Sequence, residues 1–251
     1  MKGNKILLTK RNEEPFKGEW DLPGGYMSYM ETPERTLKRE MREELGINVE
    51  LTPIGTFPGT ASWKNKTFSV LSHAFLADIK GRSINLNKKE NSAYRWFDPI
   101  SVKKIAFDSN ESILDFVRKN FVVNLKELDN LIKQLDPSAT VHEYNFYKSV
   151  LNGYCSKKYI KDTLVGVGWI FPRQTYLRKQ AVIEDVVVND KYRGKGYGEE
   201  ITLDLMRWAE DNGMEMIELT SGSHRIPANN LYKKVGFQLH PTNHYLYKVT
   251  D

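Results

Sequence analysis

An α/β (α+β) chain made of two units is what this sequence predicts. Three observations lead there. Strand-like runs alternate with amphipathic helical runs along the whole chain. The pattern closes on an amphipathic helix ending near Asn120 and then starts again. The length, 251 residues, allows one large domain or two small ones at roughly 100–200 residues per domain, and the restart of the pattern favours two. The expected domains are residues 1–120 and 121–251, closely joined, because no long flexible linker separates them. Hydrophobic residues make up 40% and charged residues 27%, enough apolar surface to build a core and to exclude wholesale disorder, collagen and coiled coil.

In the first unit, residues 5–11 (KILLTKR) read as a strand and residues 21–25 (DLPGG) as a Gly- and Pro-rich turn. Thr32 and Pro33 make a cap and first-turn pair for a helix over residues 34–45, and Gly46 is its stop signal. Residues 67–79, with Val70, Leu71, Phe75 and Leu76, read as a long strand, and residues 94–97 (YRWF) as another. Ile113, Leu114, Phe116 and Val117 give residues 109–120 the stripe of a closing helix.

The second unit is expected to open with a short apolar strand at residues 121–123. Leu125, Leu128, Leu131, Ile132 and Leu135 then recur with helical spacing up to Asp136 and Pro137. Residues 141–152 read as a further helix, and residues 164–171 (LVGVGWIF) and 181–188 (AVIEDVVV) as strands. A helix over 199–212 carries Ile201, Leu205, Trp208 and Ala209 on one face. Residues 214–219, 228–235 and 245–249 complete a strand, helix, strand series. There is no internal repeat and no low-complexity tract.

Several classes of function fall away at this level. A single cysteine, Cys155, cannot form an internal disulfide or a thiolate metal cluster, and it carries no catalytic motif. The net charge of +5 favours anionic partners, but the basic residues are scattered and no helix-turn-helix signal accompanies them. Nucleic acid is therefore not the expected partner, and phosphate-bearing small molecules are. No apolar run approaches the ~18 residues that a membrane span requires, and residues 1–11 lack the apolar core of a signal peptide. The expected compartment is the cytoplasm, with no membrane partner.

The most informative stretch is residues 25–47, GYMSYMETPERTLKREMREELGI. At 100° per residue, Glu40, Glu43 and Glu44 fall within roughly 100° of arc, beside an apolar stripe of Leu37, Met41 and Leu45. Like charges so close repel one another, and a hard divalent cation relieves that repulsion while keeping positions open for substrate phosphates. A solvated acidic surface helix is the plainer reading of three glutamates alone. The surrounding spacing decides between them: Gly25, five residues, Glu31, seven residues, then Arg39, Glu40, Met41, Arg42, Glu43, Glu44, Leu45, Gly46 and Ile47.

This matches every defined position of the Nudix box, and residues 1–120 resemble the MutT/Nudix hydrolases. The resemblance implies an α/β/α sandwich with a mixed sheet, and Mg²⁺-dependent hydrolysis (Mn²⁺ as a substitute) of a nucleoside diphosphate linked to another group. It implies Glu40, Glu43 and Glu44 as metal and base residues, Gly25 as a carbonyl donor to the metal, and Arg39 as the residue that orients a carboxylate by a forked pair. Glu31 matches the box in a supporting role, and Glu90 lies where relatives often supply a further carboxylate from a loop. The pattern departs from the family in two ways. Only four residues precede Lys5, where relatives usually have another strand, so either the recorded start is truncated or the sheet lacks that strand. Ser62 stands where the ADP-ribose subgroup carries proline, and no coenzyme A or NADH subgroup signature is present. Trp63, Tyr94 and Trp96 are candidates for stacking on a base, against the plainer reading of core aromatics.

In the second half a strand leads straight into residues 193–198 (RGKGYG) and then a helix. Successive glycines let backbone N–H groups converge on one point, and the following helix N-terminus adds positive charge, a geometry suited to a pyrophosphate. The spacing R-x-x-G-x-G excludes a Walker A loop and a dinucleotide fingerprint. Together with residues 224–237 (HRIPANNLYKKVGF), it resembles motifs A and B of the GNAT superfamily of N-acetyltransferases, over residues 121–251. The implied fold is a mostly antiparallel twisted sheet flanked by helices. The implied cosubstrate is acetyl-CoA, its pyrophosphate held by Arg193, Gly194, Lys195, Gly196, Tyr197 and Gly198. Its pantetheine arm would lie along the backbone of Val186, Val187 and Val188, with Asn230 as a further contact. Tyr232 matches the tyrosine that often protonates the departing thiolate, against the plainer reading of core packing beside Phe237. Glu184 is the candidate base, directly or through water, for the amine, which cannot attack while it remains ammonium, against the plainer reading of a surface carboxylate. Arg225 stands where many relatives carry asparagine. The expectation is a bifunctional enzyme, hydrolase and N-acetyltransferase. Its rival is a hydrolase whose second domain only binds or senses acetyl-CoA.

Overall fold

The computed structural model describes residues 1–63, 66–79, 81 and 83–247, and the chain divides into two compact units, Met1–Gly153 and Tyr154–Asp251. In the first, β1 (Ile6–Arg11) lies between β2 (Trp20–Asp21) and β5 (Asn91–Phe97), antiparallel to both. A long hairpin follows helix α1 (Pro33–Leu45): β3 (Glu50–Trp63) pairs antiparallel with β4 (Lys66–Asp78) from Glu50 opposite Asp78 to Trp63 opposite Lys66. Among the described residues the unit also holds helices α2 (Asp108–Asn120), α3 (Leu125–Ile132) and α4 (Glu143–Leu151).

Local chemistry sets α1. The Thr32 hydroxyl accepts the Arg35 N–H at 3.3 Å, Pro33 fits the first turn, and Gly46, left-handed at φ 66°, donates its N–H to Arg42 O at 3.0 Å. Met41 and Leu45 bury with Ile47 and Val49 in one apolar cluster. That burial fixes the rotation of the helix and so decides where its glutamates point.

Residues 121–123 are not a strand. The Phe121 N–H closes α2 on Val117 O at 2.9 Å, and the Val123 carbonyl accepts from the Asn4 side chain. These residues are apolar because Phe121 and Val123 are core, not because they pair in a sheet. Phe121 meets Phe116 edge-on at 5.6 Å and Tyr147 of α4 at 5.1 Å. The Asn4 N–H and the Tyr147 hydroxyl both donate to Glu143, at 3.0 and 2.5 Å, so α4 is tied to the start of the chain. Helices α3 and α4 thus fall in the first compact unit.

In the second unit β6 (Tyr154–Ile160), β7 (Thr163–Gln174) and β8 (Lys179–Val188) form an antiparallel meander, and β9 (Met216–Leu219) joins parallel to β8. The parallel pair is connected through α5 (Tyr197–Asp211), as a parallel crossover requires. Ile201, Leu205 and Ala209 of α5 pack with Ile170, Ala181 and Ile183 of the sheet. Helix α6 (Ile226–Lys234) follows β9. The strand expected over 245–249 is not formed at residues 245–247. These have no strand partner among the described residues, and Tyr245, Leu246 and Tyr247 are exposed. Residues 248–249 lie outside the described residues. Among the described residues, no helix is long and apolar enough to cross a membrane.

Candidate functional site

Helix α1 carries Glu40 and Glu44 one turn apart on the same face, and Glu90 is the last residue before β5. The ladder between β1 and β5 sets Asn91 opposite Arg11 and so fixes where Glu90 stands. Carboxylate oxygens of Glu40, Glu44 and Glu90 lie within 4.8 Å of one another. Glu40 is 9% exposed and Glu44 6%. Burial, and then the neighbouring charges of Glu40 and Glu90, push the Glu44 carboxyl up to about 8, against the opposing hydrogen bonds from the Asn91 side chain and the Gly24 backbone. Three hard oxygen donors held together against their mutual repulsion fit a hard divalent cation such as Mg²⁺ or Mn²⁺.

Arg39 organises the same face. Its guanidinium forks onto Glu31, Nε and Nη2 each donating at 3.0 Å, while Nη1 donates to Glu40 at 2.7 Å and to Glu43 at 3.0 Å. Glu31 also accepts from the Ser28 N–H at 3.1 Å and the Thr36 hydroxyl at 2.9 Å; the Arg39 guanidinium first, and then these donors, hold its carboxyl well below the usual range. Glu43 does not join the other three; its side chain is 51% exposed and turned to Arg39. Gly25 abuts Glu40 so closely that a Cβ there would sit 2.2 Å from Oε1. An apolar cavity of about 470 Å³ borders the same turn, lined by Leu37, Met41, Phe75 and Trp96 with Asp21 and Asn110 as polar members. Asp21 accepts from Asn110 at 2.7 Å, and burial raises its carboxyl to about 6. Of the candidate stacking residues, Trp96 lines this cavity, Tyr94 is exposed, and the Trp63 side chain lies outside the described residues.

In the second unit, β9 pairs with β8 only from Gln180 to Ile183. The rest of β8, Glu184 to Val188, keeps an edge with no strand partner on that side among the described residues. A bulge in the β7–β8 ladder coincides with Asp185 in a left-handed conformation, φ 54°. Beyond β8, a short 3₁₀ turn at Asp190–Tyr192 leads to Gly194 and Gly196, at φ 76° and 85°, where a Cβ would meet open space. The side chain of Arg193 folds back, Nε donating to Val188 O at 3.0 Å, and Gly196 caps the N-terminus of α5. Open glycines before a helix N-terminus form an anion cradle. Tyr232 on α6 lies edge-on to Phe237 at 6.1 Å. Burial raises its hydroxyl pKa, the charge of Arg225 opposing this and that of Glu184 adding to it. The Glu184 carboxyl is also raised, by burial and by Asp185, against His244. Asn230 is exposed on α6. Burial raises the Cys155 thiol to about 11, as expected of an inert cysteine.

Sequence reasoning missed Asn87 and Asn91, which donate to Glu90 at 2.9 Å and to Glu44 at 3.1 Å. The only signal was their closeness to Glu90 in NKKEN.

A family model described as NUDIX domain matches residues 1–116, and one described as acetyltransferase (GNAT) family matches residues 122–237. The first half is similar to the ADP-ribose pyrophosphatase of Methanocaldococcus jannaschii, 34% identical over 47% of this chain and 68% of that protein. It is also similar to a MutT-like protein of Streptomyces ambofaciens, 33% identical over 40% of this chain and 59% of that protein. The second half is similar to the uncharacterized N-acetyltransferase YvbK of Bacillus subtilis, 31% identical over 47% of this chain and 72% of that protein.

Proposed function

We propose that this chain, which belongs to the NUDIX domain family over residues 1–116 and to the acetyltransferase (GNAT) family over residues 122–237, carries two activities. The first half hydrolyses the diphosphate of a nucleoside diphosphate derivative; the second transfers the acetyl group of acetyl-CoA to an amine. The observation that carries the reading is the convergence of Glu40, Glu44 and Glu90 beside Gly25. A divalent cation bound there supplies the positive charge that makes a diphosphate open to attack by water. Glu40, Glu44 and Glu90 hold it, with the Gly25 carbonyl as a further donor. Arg39 keeps Glu40 and Glu43 in place, and Glu43 accepts the proton of the attacking water.

In the second half, residues Arg193 to Gly198 hold the pyrophosphate of acetyl-CoA, with Asn230 beside it, and the backbone of Val186, Val187 and Val188 pairs with the pantetheine arm. Glu184 takes the proton from the amine, and its raised pKa suits a base for that step. Tyr232, whose raised pKa keeps its hydroxyl protonated, donates to the departing thiolate. The proposed setting is the cytoplasm, with a nucleotide-type small molecule, acetyl-CoA and an amine acceptor, small molecule or protein, as substrates; no membrane partner is proposed, and nucleic acid is not the expected one.

A panel of nucleoside diphosphate derivatives, ADP-ribose among them because of the archaeal relative's name, tests the first half. Cleavage that needs Mg²⁺ or Mn²⁺ is the expected result, and equal cleavage in chelator would contradict it. For the second half, acetyl-CoA consumption over an amine panel is expected. Binding without transfer to any amine would favour the sensor instead.

A further inference from the structure

The loop of residues 85–91 is bound to the end of α1 along its backbone: the Asn85 N–H donates to Leu45 O at 2.9 Å and the Asn87 N–H to Glu44 O at 2.7 Å. Asparagine side chains then fix the two carboxylates that meet there. Asn91, 5% exposed, donates Nδ2 to Oε2 of Glu44 at 3.1 Å, and Asn87 donates Nδ2 to Oε1 of Glu90 at 2.9 Å. A third, Asn12 at the end of β1, clamps the loop itself: its N–H donates to Glu90 O at 2.9 Å and its side chain to Lys88 O and Lys89 O at 3.2 and 3.1 Å.

A glutamate has three side-chain torsions, and carboxylates within 4.8 Å of one another rotate apart unless something holds them. A donor on one oxygen holds the group and leaves its other oxygen for a ligand; Glu44 accepts from the Gly24 backbone as well as from Asn91. The kind of donor also matters. Glu40 is held by the charged Arg39, whereas Glu44 and Glu90 are held by neutral amides, which orient a carboxylate without cancelling its charge. We propose that Asn91 and Asn87 are positioning residues that keep Glu44 and Glu90 turned together for a divalent cation. The inference rests on reading the three glutamates as a cation site.

The test is Mn²⁺ binding to the full chain, followed by the electron paramagnetic resonance signal of the free ion. The proteins compared are wild type, Asn91→Leu, Asn87→Ala, Glu44→Gln and the double variant Glu44→Gln/Asn91→Leu. Partners of metal-ligating groups typically contribute about 10–100-fold in affinity, so Asn91→Leu should weaken binding by about 10-fold or more. Asn87→Ala should weaken it by a smaller factor; this residue is only half-buried, so the variant tests the idea even if Asn91→Leu fails to fold. In the Glu44→Gln background, Asn91→Leu should add no further loss, because Asn91 acts through Glu44. Wild-type affinity in both asparagine variants, or an additive loss in the double variant, would overturn the proposal while a weakened Glu44→Gln left the cation site standing. Mn²⁺ binding untouched by Glu44→Gln would overturn the reading beneath it as well.

Discussion

At Glu44 charge and burial oppose each other, which makes the first unit sensitive to pH. Folding raises this carboxyl from 4.5 to about 8, so the folded state binds the proton more tightly than the unfolded chain does. The stability it contributes is fully present below pH 4.5 and is lost as pH rises through about 8, at no more than ~1.4 kcal/mol per pH unit. Asp21, raised from 3.8 to about 6, adds a loss of the same sign at lower pH. Melting curves without divalent cation should therefore fall in midpoint from pH 5 to pH 8.5. Glu44→Gln should flatten that slope and melt higher than wild type at the alkaline end; a lower melting point there would contradict the assignment. Gly25→Ala makes a different prediction. The new Cβ would stand 2.2 Å from Glu40 Oε1, and Glu40 is held by Arg39, so the carboxylate or the turn must move. Hydrolysis should drop by about 10-fold or more, as loss of a metal-site support does, while the melting point changes little.

Helix α1 was legible because its signals are local: Thr32, Pro33, Gly46 and the apolar stripe all sit inside the segment they govern. Strand β3 was not, because Pro53, Gly55, Pro58 and Gly59 read as turn residues, and only the partner β4, distant in character though next in sequence, makes them a strand. For the same reason Glu90 could be named from its loop, whereas the bond from Asn91 to Glu44 spans 47 residues and leaves no local mark. The spacing that placed Glu43 with Glu40 and Glu44 was a helix property, and Arg39 turned its side chain elsewhere. Truncation tests the contribution of helices α3 and α4. A chain ending at residue 120 loses the buried Phe121 and Tyr147 and the bond from Asn4 to Glu143. With each large buried aromatic contributing about 3–5 kcal/mol, the first unit should melt markedly lower than one ending at residue 153. Equal melting points would show that α3 and α4 contribute nothing to it.

The residues named for the proposed carboxylate site and those named for the proposed anion cradle lie in different compact units, which predicts activities that can be removed one at a time. Gly196→Val adds a branched side chain at φ 85°, a strain on the order of 1–3 kcal/mol at the mouth of the anion cradle. Calorimetry should show acetyl-CoA binding lost in this variant while diphosphate hydrolysis stays at the wild-type rate; loss of both would tie the sites together. The reverse experiment tests the cation site itself: hydrolysis by Glu44→Gln at saturating Mg²⁺, with acetyl-CoA binding to the same sample as its internal control. The rate should be lower by about 100-fold or more with acetyl-CoA affinity unchanged. Hydrolysis at the wild-type rate would contradict the claim that the buried carboxylates of α1 and the Glu90 loop hold the cation that the reaction needs.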